Sequence, residues 1–227
     1  MCTEGEIATK TDPAGPWSLV VPLKPLARAK SRLGRAVGEE ARPRLALAFA
    51  QDTVAAALDC SRVRDVVVVT DDAVAAAALS ALGARIVPDA PRAGLNAALA
   101  HGARRARASR PAAAVAALNA DLPALRGGEL ARVLDFASAF PSAFLRDAEG
   151  IGTTFLSAVG GAEFRPAFGG PSGARHRAAG AVEITLSGVD SVRRDVDTGE
   201  DLRAALALGV GPHTARIAAA AASAGDR

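Results

Sequence analysis

Toward the end of the chain the segment SVRRDVDTGEDL (residues 191–202) sets Asp195 and Asp197 one residue apart, behind Arg193 and Arg194 and ahead of a helix-like run. In an extended backbone alternate side chains share a side, so the two carboxylates would face the same way. Like charges held on one side repel unless a cation or an arginine stands between them. Arg193 and Arg194 offer one answer, a charged surface corner. A hard divalent cation offers another, since Mg²⁺ takes oxygen ligands and commonly joins one or two carboxylates to substrate phosphates. Asp121, in NADLPAL directly after an apolar run, would complete a set of three acids. A lone aspartate at a strand end is also an ordinary cap for the next turn.

Positive charge and hydroxyl donors appear in two other places. The loop PLKPLARAKSRL (residues 22–33) carries Lys24, Arg28, Lys30 and Arg32. Charge-assisted bonds and loop amides of this kind suit a polyphosphate, although the glycines of a Walker A or GxGxxG loop are missing and a solvated basic loop accounts for the residues equally well. Further on, GIGTTFLSA and FRPAFGGPSGARHRAAG bring Thr153, Thr154, Gly169 and Ser172. Ser172 is expected to open a short helix whose first N–H groups could face an anion; an ordinary loop with a capping serine is the plainer reading. His101 reads as a helix-face residue, His176 as a surface residue of the short helix or else a ligand contact, and Asp71 or Asp72 as a helix cap.

Elements that would position these residues alternate along the chain. Apolar runs at Trp17–Val21, Val66–Val69 and "AAAVAAL" read as buried strands, with a shorter one at Arg85–Val87. Helical spacing covers Glu39–Leu58, Ala73–Leu82 (closed by Gly83), the GLNAALAHGARRARAS segment and Leu130–Ala137. Continuous apolar strands with helices between them imply a mostly parallel sheet covered on both faces, a single-domain Rossmann-like α/β fold. After Ser142 the strands shorten and the connections become rich in Gly and Pro. A last helix is expected from Thr198 to Leu208, stopped by Gly209. The expected organisation is a polar, disordered tail over residues 1–15, a catalytic domain over 16–213 and a flexible Ala-rich end over 214–227.

Bulk properties narrow the function classes. The chain has 227 residues, half of them apolar, enough for one sizeable core. Net charge is +3, aromatics make up 4% and tyrosine is absent, so bases would have few side chains to stack on and nucleic-acid binding is disfavoured. Two cysteines, Cys2 and Cys60, form no ligand-like cluster. No apolar run approaches a membrane span, and the first fifteen residues lack a signal peptide's apolar stretch. A cytoplasmic location is expected.

Taken in order, VVPLKPLARAKSRL, VVVTDD, VPD…GLNAAL, NADLPAL, FRPAFGGPSGARH and DVDTGEDLRAALALGVG resemble the CofC/FbiD guanylyltransferases of coenzyme F420 biosynthesis over residues 17–212. The ordered set is specific, although each piece alone is not. The resemblance implies a nucleotide-diphospho-sugar-transferase-like fold and attack of a phosphorylated three-carbon acid on the α-phosphorus of GTP, releasing pyrophosphate. Similarity to actinobacterial members in Ala and Arg content points to phosphoenolpyruvate as the acid, giving enolpyruvyl-2-diphospho-5'-guanosine. The alternatives are 2-phospho-L-lactate or 3-phosphoglycerate, a molybdenum-cofactor-type acceptor, or a non-catalytic nucleotide-binding domain. By the same resemblance, Asp121, Asp195 and Asp197 hold Mg²⁺, and Lys24, Lys30 and Arg32 take the triphosphate. Asn96 lies near the nucleotide, while Thr154, Gly169 and Ser172 bind the acid. A later transferase of the same pathway is an implied partner.

Overall fold

The computed structural model describes residues 16–90 and 92–225. The expected N-terminal tail lies outside the described residues. Seven strands form one sheet: β1 (Trp17–Pro22), β2 (Val63–Val69), β3 (Arg85–Val87), β4 (Ala114–Leu118), β5 (Ala143–Leu145), β6 (Phe155–Ala158) and β7 (Val182–Glu183). Their order is β3-β2-β1-β4-β6-β5-β7. β3, β2, β1 and β4 run parallel, β6 lies antiparallel between β4 and β5, and β5 and β7 are parallel. The mostly parallel, doubly covered α/β sheet expected from the apolar runs is the one observed.

The helices are α1 (Gly34–Val37), α2 (Ala41–Leu58), α3 (Ala73–Ala81), α4 (Leu95–Ser109), α5 (Gly127–Ala137), α6 (Ser172–Ala178), α7 (Asp190–Arg193), α8 (Gly199–Leu208) and α9 (Pro212–Gly225). Alternation along the strands divides the core. Leu19, Val21, Val66, Val68, Ala116 and Leu118 pack on one face with Val54 of α2, Leu79 of α3 and Leu130 and Val133 of α5. Val20, Val67, Val69, Val115 and Ala117 face the other way, onto Leu99, Ala103 and Ala106 of α4. Because both faces are covered, these strands carry no polar face and read as unbroken apolar runs.

Local signals terminate the helices where the sequence suggested. Asp72 accepts from the N–H groups of Val74 and Ala75 at the start of α3 (3.1 and 3.0 Å). Thr198 and Asp201 cap α8 reciprocally, satisfying donors that a helix start leaves over. The Ala-rich end departs from expectation. Where an unstructured segment was expected from residue 214, the chain forms α9, and Thr214 is buried. Alanine favours helix, and buried Asp52 on α2 accepts from His213 and Thr214 N–H at 3.1 and 2.8 Å. No helix among the described residues is long and apolar enough to cross a membrane.

Candidate active site

Strand order reverses at β1: the chain builds outward to β2 and β3, then returns to the other side of β1 as β4. In open α/β sheets the crevice beyond the carboxyl ends at such a switch point takes ligands. Here it is a cleft of ≈ 600 Å³ lined by Lys24, Arg28, Lys30, Ser31 and Arg32 after β1, and by Asn119 and Asp121 after β4. Asp147, Gly152 and Thr153 line it from the β5–β6 connection, Phe168, Gly169, Gly170 and Ser172 from the segment entering α6, and Asp195 and Asp197 from between α7 and α8.

All three acids line this cleft, and Asp121 and Asp197 are brought to one ammonium. The Val196 N–H donates to the Asp121 carbonyl at 3.1 Å, tying the two segments together. Lys30 reaches across with a left-handed backbone (φ 56°). Its ammonium pairs with Asp121 and donates to Asp197 at 2.6 Å. Arg193, proposed from sequence as a neutraliser, instead donates to the carbonyls of Arg146, Ile184 and Leu186. Arg194 stands 3.6 Å from Asp201.

Electrostatics follow from this crowding. Asp195 is pushed up to about 8, by burial first and then by repulsion from Asp121 and Asp197. Burial opposes ionisation of Asp197 as well, but Lys30, with Arg32 and Lys24 behind it, outweighs burial and holds its carboxyl below the usual range. Burial likewise works against the Lys30 ammonium, yet Asp121 and Asp197 raise it above its ordinary value. Among the described residues, no three Asp, Glu, His or Cys side chains stand together in a ready metal cage. The donors nonetheless fit a hard cation. All are carboxylate oxygens, and Asp121 Oδ1 is buried with no hydrogen-bond partner, an arrangement that costs free energy unless something positive meets it.

Hydroxyl-bearing residues are arranged differently from expectation. Thr153 lines the cleft, whereas Thr154 is fully buried. The Thr154 N–H donates to Leu145 O and its carbonyl accepts from Asn119 N–H, so it is embedded in the sheet, and its hydroxyl has no partner. Adjacent residues of an extended segment point to opposite sides, so a register choice of one residue decides which hydroxyl reaches the cleft. Gly169 and Ser172 do line it, with Gly169 at φ 98°. Ser172 does not offer the expected open helix start, however. Its N–H donates to Gly170 O at 2.7 Å, and that of Gly173 donates to Ile151 O at 3.2 Å.

Asn96 is not in the cleft wall. Its side-chain amide donates to Phe168 O (3.2 Å) and accepts from Phe168 N–H (2.8 Å), anchoring the Gly169 loop. His176, expected at the surface, is 1% exposed. Its ring contacts Thr153 Oγ1 through Nδ1 (3.0 Å) and accepts from Ala167 N–H through Nε2 (2.9 Å). Burial, with Arg175 second, lowers it to about 4. Sequence reasoning also passed over Asp147, which accepts from Ile151 and Gly152 N–H at 2.9 and 2.7 Å. The short polar residue ahead of a Glu-Gly-Ile-Gly turn was the available signal.

With the cleft described, comparison with known proteins decides the family. The model described as "Guanylyl transferase CofC like" matches residues 17–217. The chain belongs to this family. Among curated relatives, the phosphoenolpyruvate guanylyltransferase of Streptomyces coelicolor is 68% identical over 203 residues, covering 89% of this chain and 96% of the relative. That of Thermomonospora curvata is 60% identical over 213 residues, covering 94% and 93%. Among solved structures, a nucleotidyl transferase from Methanothermobacter thermautotroptrophicus superposes with a TM-score of 0.60 at 19% identity, covering 85% of this chain and 97% of the other. A protein assigned as a nucleotide-diphospho-sugar transferase from Desulfovibrio desulfuricans G20 gives a TM-score of 0.59 at 16% identity, covering 86% and 96%. These last two establish the expected nucleotide-diphospho-sugar-transferase-like fold.

Proposed function

We propose that this guanylyl transferase moves GMP from GTP to phosphoenolpyruvate, releasing pyrophosphate. One observation carries the reading: a basic loop, three carboxylates and a hydroxyl cluster converge on one cleft at the sheet's switch point. Names and extents of the curated relatives support the choice of acid. The acceptor phosphate is itself the nucleophile, so no covalent enzyme intermediate is required. The protein's work is to hold two polyanions together and to meet the charge that develops on the α-phosphate and the departing pyrophosphate.

Lys24, Lys30 and Arg32 supply positive charge to the triphosphate, while Gly169, Ser172 and the neighbouring threonine hydroxyl hold the acid. Asp121, Asp195 and Asp197 would hold Mg²⁺, which when bound supplies charge neutralisation at the reacting phosphates. Asn96 acts by bracing the Gly169 loop through Phe168. The guanylylated product is an activated diphosphate and would pass to a later transferase of coenzyme F420 biosynthesis.

The test is product mass and pyrophosphate release from GTP, Mg²⁺ and each of phosphoenolpyruvate, 2-phospho-L-lactate and 3-phosphoglycerate. Phosphoenolpyruvate should be the preferred acceptor. Asp121→Asn and Asp197→Asn should each lower turnover by at least roughly a hundredfold, the scale expected when several kcal/mol of charge stabilisation is lost. Wild-type rates in both variants would remove the metal-site assignment. Preference for another acid would correct the substrate.

A further inference from the structure

Thr53 stands inside the Ala-rich helix α2 and is fully buried. A β-branched residue lowers helix propensity, and a buried hydroxyl costs free energy unless it is bonded. Here the hydroxyl is bonded to two parts of the chain. Oγ1 donates to Phe49 O, one turn back, at 2.7 Å, with Ala120 O as a longer second acceptor at 3.3 Å. It accepts from the Leu122 N–H at 3.0 Å. The bond to Phe49 fixes the rotor, so that a lone pair is left to meet Leu122.

Ala120 and Leu122 flank Asp121. β4 ends at Leu118, so the turn that carries Asp121 lies past the strand and is held by single contacts. Asn119 N–H donates to Thr154 O at 3.0 Å, Asp121 O accepts from Val196 N–H at 3.1 Å, and Pro123 O accepts from Gly211 N–H at 2.9 Å. Thr53 holds the turn from the core, touching it on both sides of Asp121. The Asp121 carboxylate itself has no backbone anchor among the described residues: Oδ2 pairs with the mobile end of Lys30, and Oδ1 has no partner. Its direction is therefore set by the backbone of the turn. Asp121 and Ala120 line the cleft, whereas Thr53 lies behind them.

We infer that Thr53 is a positioning residue for Asp121, its one buried hydroxyl holding the turn after β4 so that the carboxylate is aimed into the cleft. The inference rests on the metal assignment proposed above and deepens it. It places control of one of the three acids on a side chain that touches neither substrate nor metal. Groups that orient a ligand from behind are felt in metal affinity, because a carboxylate free to turn must be ordered again each time a cation binds.

Two readouts separate this inference from the reaction. Turnover of GTP with phosphoenolpyruvate by the wild-type protein tests the reaction. Binding of Mn²⁺ alone, followed by electron paramagnetic resonance, tests the positioning. Thr53→Val keeps the shape and leaves the Leu122 N–H without an acceptor. It should weaken Mn²⁺ binding at least roughly tenfold, the scale seen when a partner behind a metal ligand is lost. The Mg²⁺ concentration for half-maximal turnover should rise in step. Thr53→Ser, which retains the hydroxyl, should bind Mn²⁺ within about twofold of the wild type. Val63→Ala, a core truncation at the start of β2 and so at the opposite end of the sheet, controls for lost stability: its Tm should fall and its Mn²⁺ affinity should not. Should Thr53→Val fail to fold, Thr53→Ala set against Thr53→Ser makes the same comparison. Wild-type Mn²⁺ affinity in the folded Thr53→Val protein would overturn the inference. So would no recovery in Thr53→Ser, an equal loss in Val63→Ala, or failure of the wild-type protein to bind Mn²⁺. Mn²⁺ binding with the expected variant pattern but no wild-type turnover would keep the positioning role and sink the reaction.

Discussion

At the residue scale the unusual feature is a neutral histidine in a site built for anions. His176 is lowered from 6.5 to about 4, chiefly by burial and secondly by Arg175. Between those values the unfolded chain binds a proton that the folded protein refuses. Stability associated with the neutral ring is therefore complete above about 6.5, declines as pH falls toward about 4, and loses no more below that, where both states are protonated. Urea midpoints of the wild type and of His176→Phe, taken from pH 7 to pH 4, should show the steeper decline in the wild type. Parallel curves would mean that the ring titrates normally. The acids opposite tell a complementary story. Asp121 and Asp197 share the Lys30 ammonium, while Asp195 is driven toward its protonated form by burial first and by those two like charges second.

At the element scale, α4 must lie close to the sheet, because it covers the face from which β1 and β4 project toward the cleft. Gly102 makes that approach possible. A Cβ there would stand 2.5 Å from Val20 Cγ1 and 2.7 Å from Val69 Cγ2. Gly102→Ala gains up to about 1 kcal/mol in helix propensity. Overpacking against two buried, stiff valines costs roughly 1–3 kcal/mol and should win. Thermal unfolding should show a lower Tm; a higher one would mean that α4 can lift without cost. Legibility differs among the elements. α4 was evident from its spacing and α8 from its capping residues. β7 was legible in place but not in length: the VEITL run reads as a strand, and two of its residues, Val182 and Glu183, pair. α9 was missed because its anchor is not local: Asp52, which accepts from its first turn, lies 161 residues from His213.

At the scale of the whole molecule, the cleft draws on the β1 and β4 loops, the β5–β6 connection, the entry to α6 and the α7–α8 segment. A ligand that bridges these segments binds the folded state and not the unfolded chain. GTP with Mg²⁺ at a hundredfold excess over its dissociation constant should add roughly 2.7 kcal/mol. For a domain of this size that corresponds to a rise in Tm of roughly 5–10 °C. Differential scanning with and without the nucleotide checks it, and an unchanged Tm at saturating GTP would count against the nucleotide site.

By itself the sequence determined the layered α/β architecture, because apolar periodicity and helix caps are local properties written in neighbouring residues. It also supplied the three acids and the basic loop as candidates by residue type and strand-end position. Tertiary structure alone decided which of these meet. Lys30 is separated by 91 residues from Asp121 and by 167 from Asp197, and only strand order brings them together. It decided too that Thr153 rather than Thr154 faces the cleft, that Asn96 braces a loop, and that His176 lies inside. Each of these depends on register or on packing against distant segments, and a side chain's neighbours across a sheet are not encoded in its neighbours along the chain.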